Sequence, residues 1–127
     1  MPGKHLFEYA VIRIVPRVER EEFLNVGVVL YCKDKRYLQC LITVNEQKIK
    51  ALCSDVDCAE VAEHLQSFER ICKGDKKGGP IAALDLPSRF RWLTATRSTV
   101  VQTSKVHPGL CHDPGTTLHK LHEQLVL

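Results

Sequence analysis

A chain of 127 residues, 44% hydrophobic and 26% charged, is long enough to bury one core without disulfide or metal staples. It has no apolar run near the roughly 20 residues of a membrane-spanning helix. Its formal charge of +3 and pI near 8.6 fall short of the basic footprint of a dedicated nucleic-acid binder. In the opening stretch MPGKHLFEYAVIRIV, Glu8 and Arg13 interrupt the apolar residues, so no secretory signal is expected and the six cysteines are read as cytoplasmic thiols.

The segment LFEYAVIRIV, residues 6–15, is rich in β-branched and aromatic side chains. Its alternation places Tyr9, Val11, Arg13 and Val15 on one face of a first strand. Pro16 lacks an amide donor and ends that ladder, leaving PRVEREE as a connection. NVGVVLYC reads as a second strand, KDKR as a short polar turn and YLQCLITV as the returning third strand. Beyond Val44 the period lengthens. Asn45 caps a short helix through EQKIKALC, and DVDCAEVAEHLQSFERICKG sets Val61, Leu65, Phe68 and Cys72 on one stripe, with Gly74 as its stop. Residues 73–80 combine glycine, charge and proline and are expected to form an exposed, flexible loop.

Ser88 is expected to cap a short helical turn carrying Phe90 with Trp92 or Leu93, and STVVQTS has the β-branched character of a fourth strand. DPGTTLHKLHEQLVL closes as a helix capped by Asp113 or Thr116, with Leu118, Leu121 and Leu125 spaced to dock on the sheet. The order β-β-β-α-α-β-α predicts an α+β fold. It would be an antiparallel sheet of about four strands with helices packed mainly on one face, residues 1–127 forming a single domain.

Two polar clusters interrupt this pattern. Gly27 inside a strand marks a bulge or a close approach of another backbone or a ligand. Asn25 two residues earlier, with Glu22 and the basic Arg17 and Arg20 nearby, is either a strand-entry turn or a ligand contact. Downstream, strand spacing aligns Ser98, Gln102 and Ser104 on one side. Arg89, Arg91 and Arg97 offer planar forks suited to phosphate or carboxylate, or else form a solvated face, and Trp92 is a core anchor or an aromatic platform. The two clusters together predict one electropositive hollow, with Arg13, Arg17, Arg89 and Arg97 around Asn25 and Ser98.

The C-terminal third is dense in His107, Cys111, His112, His119 and His122, yet it has no Cys-x-x-Cys pair and no spacing that closes a tetrahedral zinc site. Cys111 with His107 or His112 could form a nucleophile and base, but its HPGLCHDPG setting has no strand-to-helix elbow. No metal, cofactor or catalytic residue is assigned.

The segments YAVIRIVPRVEREEFLNVGVVLY and RFRWLTATRSTVVQTSKVHPGLCHDPGTTLHKLHEQLV resemble the bacterial family known as domain of unknown function 3037, most specifically in E-x-x-N-V-G-V from Glu22 to Val28 and in the series from Arg89 to Gly109. The resemblance implies a small cytoplasmic protein whose genes lie beside those of HipA-like kinases, and hence such a kinase as a partner. It points to Glu22, Asn25, Gly27, Arg89, Trp92, Arg97, Ser98, Gln102 and His107. The resulting expectation is a non-enzymatic module recognising an anionic group, either a nucleotide phosphate or an acidic partner segment. The alternatives are a small enzyme using Cys111 or His107, or a homodimer paired through the leucine face of the last helix and its Val126–Leu127 end.

Overall fold

The computed structural model describes residues 3–97 and 99–127. β1 (His5–Ile14), β2 (Leu24–Cys32) and β3 (Tyr37–Ile42) form the expected antiparallel meander. Two further strands pair with the far side of β1: β4 (Val101–Thr103) along its C-terminal part and β5 (His107–Cys111) along its N-terminal part, giving a five-stranded sheet. The fifth strand goes beyond the sequence reading because HPGLC contains proline and glycine, which signal a loop. Here Pro108 and Gly109 sit in β5, which pairs with β1 alone among the described strands, and an edge strand tolerates a missing ladder donor.

Between the two short strands the register against β1 slips, and Ser104 bridges the break. Its amide donates to the Val11 carbonyl at 2.8 Å, its hydroxyl accepts from the Val11 amide at 2.8 Å, and the same hydroxyl donates to the Lys105 carbonyl at 2.9 Å. A side chain thus replaces a backbone acceptor, so the buried Val11 amide keeps a partner.

The helices are α1 (Glu46–Leu52), α2 (Cys58–Lys73), α3 (Leu86–Leu93) and α4 (Pro114–Leu125). Asn45, Asp57 and Asp113 cap α1, α2 and α4. α3 starts earlier than expected. Asp85 rather than Ser88 is its cap, accepting from the Ser88 amide at 2.9 Å, with Pro87 in the first turn where its missing amide costs no bond. Gly74 ends α2 in the left-handed conformation, and the chain then makes two 3-10 turns, Lys76–Gly78 and Pro80–Ala83, the second burying Ala82.

The first three helices cover one face of the sheet. Val61, Leu65, Phe68 and Cys72 of α2, with Phe90 and Leu93 of α3, bury Ala10, Ile12, Ile14, Val29 and Tyr31. The Tyr31 and Phe90 rings stack at 5.4 Å. α4 packs alone on the other face, where Leu118, Leu121 and Leu125 meet Phe7, Val28, Leu30 and Cys32. Leu118 is buried against the chain's own sheet and Leu121 and Leu125 are half-buried there, while Leu127 stays exposed.

Candidate polar row and clefts

Gly27 stands opposite Ile12 and Asn25 opposite Arg13, which leaves Val26 as the extra residue of a bulge in β2. A Cβ at Gly27 would lie 2.6 Å from the Leu41 carbonyl oxygen and 3.1 Å from Ile12 Cδ1, so only glycine lets β2 run this close to its neighbours. The bulge also resets which side chains face which layer. Val26 and Val29 both enter the three-helix core, while Val28 and Leu30 enter the α4 core. Without the extra residue Asn25 would share the face of Val29 and the three-helix core. With it, Asn25 turns to α4 and its Nδ2 donates to the Leu125 carbonyl at 3.2 Å.

Directly opposed residues of an antiparallel pair share a face, so Asn25, Arg13 and Gln102 make a polar row across β2, β1 and β4. The Arg13 guanidinium lies 4.0 Å from the centre of the Phe23 ring, and Gln102 Nε2 donates to the Thr99 carbonyl at 2.8 Å. Two atoms of the row, Arg13 Nε and Asn25 Oδ1, are buried without a hydrogen-bond partner among the described residues.

The other arginines do not join this row, and the single hollow expected from the sequence is not formed. Arg17 pairs with Asp55 at 3.1 Å, both exposed, and Arg20 pairs with Glu22. These groups, with Lys50 and Ser54, line a hollow of about 350 Å³ whose cations and acids largely match one another. Arg89 donates to the carbonyls of Ala82 and Leu84, fastening the turn after α2 to α3. Arg97 donates to the Trp92 carbonyl, and its Cζ stands over the Trp92 ring, 3.4 Å from the centre, where burial pulls its pKa down from the usual arginine range. The physical reason for the separation is local. Arg89 and Arg97 spend donors on carbonyls within seven residues, although Arg89 Nε stays buried without a partner among the described residues, Arg17 is drawn to Asp55, and the sheet stands between Arg13 with Asn25 and the α3 end beside Arg97. Ser98 lies outside the described residues.

Trp92, Arg97 and Gln102 do come together around a second cleft of about 220 Å³ between α2, the end of α3 and β4, with buried Phe68 and Leu93 at its base and exposed His64 and Ser67 at its rim. The sequence reading singled out neither His64 nor Phe23. The Phe23–Leu24 pair between Glu22 and Asn25 was a legible apolar signal at the entrance of β2, whereas His64 on the outer side of α2 gave none.

The histidines are dispersed. His107 is exposed and packs against the Tyr9 ring at 5.3 Å, His112 meets the Gly3 carbonyl at 3.0 Å, and His122 meets Thr43 Oγ1 at 3.0 Å. Among the described residues no three His, Cys, Asp or Glu side chains group as metal ligands. Cys111 is buried in the α4 core, and burial, reinforced by neighbouring Cys32, pushes its thiol pKa up, the opposite of what a nucleophile requires.

Fold and polar row together define the class: an α+β protein with an antiparallel five-stranded sheet covered on both faces and a row of polar side chains across three of its strands. The chain belongs to the family described as proteins of unknown function, DUF3037, whose model matches residues 9–126. No curated protein and no solved structure matches it. No helix among the described residues is long and apolar enough to cross a membrane.

Proposed function

We propose that this protein is a non-enzymatic binding module that recognises an anionic group through the row formed by Asn25, Arg13 and Gln102. One observation carries the reading. Arg13 Nε and Asn25 Oδ1, on directly opposed residues, are both buried and both unpartnered. Buried polar groups are satisfied in the great majority of cases, so an open Arg13 donor and an open Asn25 acceptor on opposed residues suit a partner from outside the chain that offers an oxygen to the first and a hydrogen-bond donor to the second. The guanidinium supplies a planar donor set for phosphate or carboxylate oxygens. The Phe23 ring, 46% exposed, flanks it and restricts its orientation.

The test is a thermal-shift and calorimetric screen of the purified chain against inorganic phosphate, nucleoside mono- and triphosphates and an oligoglutamate peptide. These probes separate a nucleotide phosphate from an acidic segment of a partner such as a HipA-like kinase. A bound probe at about 100 times its Kd adds about 2.7 kcal/mol to stability. That shift is expected to disappear in Arg13→Gln and to persist in Arg89→Gln. A shift that survives Arg13→Gln, or the absence of any shift with these probes, rejects the reading.

A further inference from the structure

β4 is an edge strand, at the end of the order β3-β2-β1-β4. Its ladder to β1 uses alternate residues. Val15 N donates to the Val100 carbonyl at 2.7 Å and Ser104 N to the Val11 carbonyl at 2.8 Å, with Arg13 and Gln102 opposed between them. Antiparallel pairing alternates inward and outward groups, so Val101 and Thr103 turn their amides and carbonyls away from β1. Of these four groups, only the Val101 carbonyl has a partner among the described residues, Thr99 Oγ1 at 2.7 Å. Among the described residues, two amides and one carbonyl therefore have no partner along the strand that lines the Phe68–Trp92 cleft.

We propose that this edge and the adjoining cleft take an extended segment of a partner protein by strand addition, with an apolar side chain in the cleft and an acidic one against Arg97. Strand addition draws affinity from main-chain bonds and specificity from pockets for alternate side chains. Both elements are here: open main-chain groups at Val101 and Thr103, and a volume of about 220 Å³ based on Phe68 and Leu93 beside them. Charge selects the occupant. Residues 97–107 contain Arg97 and Lys105 and no acid, which favours an acidic visitor and opposes pairing with the same strand of a second copy. The side chains of Arg13 and Asn25 lie on the other face of the sheet, so Gln102 of β4 is the one residue that this surface shares with the proposed anion row.

The probe is a set of short labelled peptides alternating threonine and valine around one central aspartate, with asparagine or lysine replacing it as comparison, titrated into the full chain. The aspartate peptide is expected to bind about tenfold or more tighter than the lysine peptide, a preference reduced in Arg97→Gln and unchanged in Arg13→Gln. Backbone N-methylation of the peptide is expected to abolish binding at every second position, and the amide signals of Val101 and Thr103 to shift on binding. Thr103→Pro removes an outward amide while leaving the β1 ladder intact, and is expected to weaken binding. Should that variant not fold, the N-methyl series on the unaltered chain decides. Binding indifferent to N-methylation, equal affinity for aspartate and lysine, shifts centred away from β4, or no binding of any peptide would overturn the proposal.

Discussion

Asn25 Nδ2 donates to the Leu125 carbonyl at 3.2 Å, joining the start of β2 to the last turn of α4 across 100 residues of sequence. Asn25→Ala leaves that helix-end carbonyl without its donor. A loss of about 0.5–1.5 kcal/mol is expected in urea unfolding, with faster amide exchange at Val126 and Leu127. Asn25→Asp is expected to cost more, since it sets a carboxylate against the same carbonyl. Equal stability of all three forms would mean that the bond contributes nothing.

Gly27→Ala forces a methyl group to within 2.6 Å of the Leu41 carbonyl oxygen. Backbone must shift to admit it, so a destabilisation of about 1–3 kcal/mol is expected. Because the bulge orients Asn25, the variant is also expected to weaken any anion binding at Arg13. Chemical denaturation and the phosphate-probe titration measure the two effects separately.

Ser104→Ala removes the acceptor of the buried Val11 amide. An orphaned buried donor costs about 1–3 kcal/mol, more than a typical surface change. The expected signature is a lowered unfolding midpoint together with loss of exchange protection at Val11. A variant as stable as the parent would show that water replaces the hydroxyl.

Asp85 and Asp113 are held below the usual carboxylate range, the first by Ser88 and the second by Thr116. A carboxylate depressed in the folded state adds stability that is present above its unfolded pKa, about pH 4, and lost as pH falls through the folded value. Stability is therefore expected to drop in acid below about pH 4. The Asp85→Asn, Asp113→Asn double variant, which retains capping side chains but cannot ionise, should show a shallower drop. Urea midpoints measured across the acid range check this.

Cys32, Cys72 and Cys111 are buried, and the Cys72 thiol pKa is pushed upward by the neighbouring Cys40 thiol and by burial. A small maleimide is expected to label the half-buried Cys53 and Cys58 in the native protein, whereas the three buried thiols react only as the chain opens. Mass spectrometry of partly labelled protein reads the order directly, and early labelling of Cys111 would revive the nucleophile alternative.

Local periodicity was enough to place the meander, the α2 stripe of Val61, Leu65, Phe68 and Cys72, and the α4 leucines, because each pattern repeats within one element and depends only on which face is buried. Gly27 was legible as a bulge because a glycine within an apolar run has few other uses. The fifth strand was not legible, since Pro108 and Gly109 are loop residues by local preference and only pairing to β1 makes them strand.

The partition of the polar residues was also decided in three dimensions. Sequence named Arg13, Asn25, Trp92, Arg97 and Gln102, but which of them meet depends on a register shift of one residue and on which face each helix covers. Arg13, Asn25 and Gln102 were joined by strand pairing, and Trp92 with Arg97 was sent to the opposite side by the packing of α3. Residue type dictates what an arginine or an asparagine can bind. Which arginine stands beside which asparagine is settled by long-range pairing, in which a single inserted residue reverses every side chain beyond it.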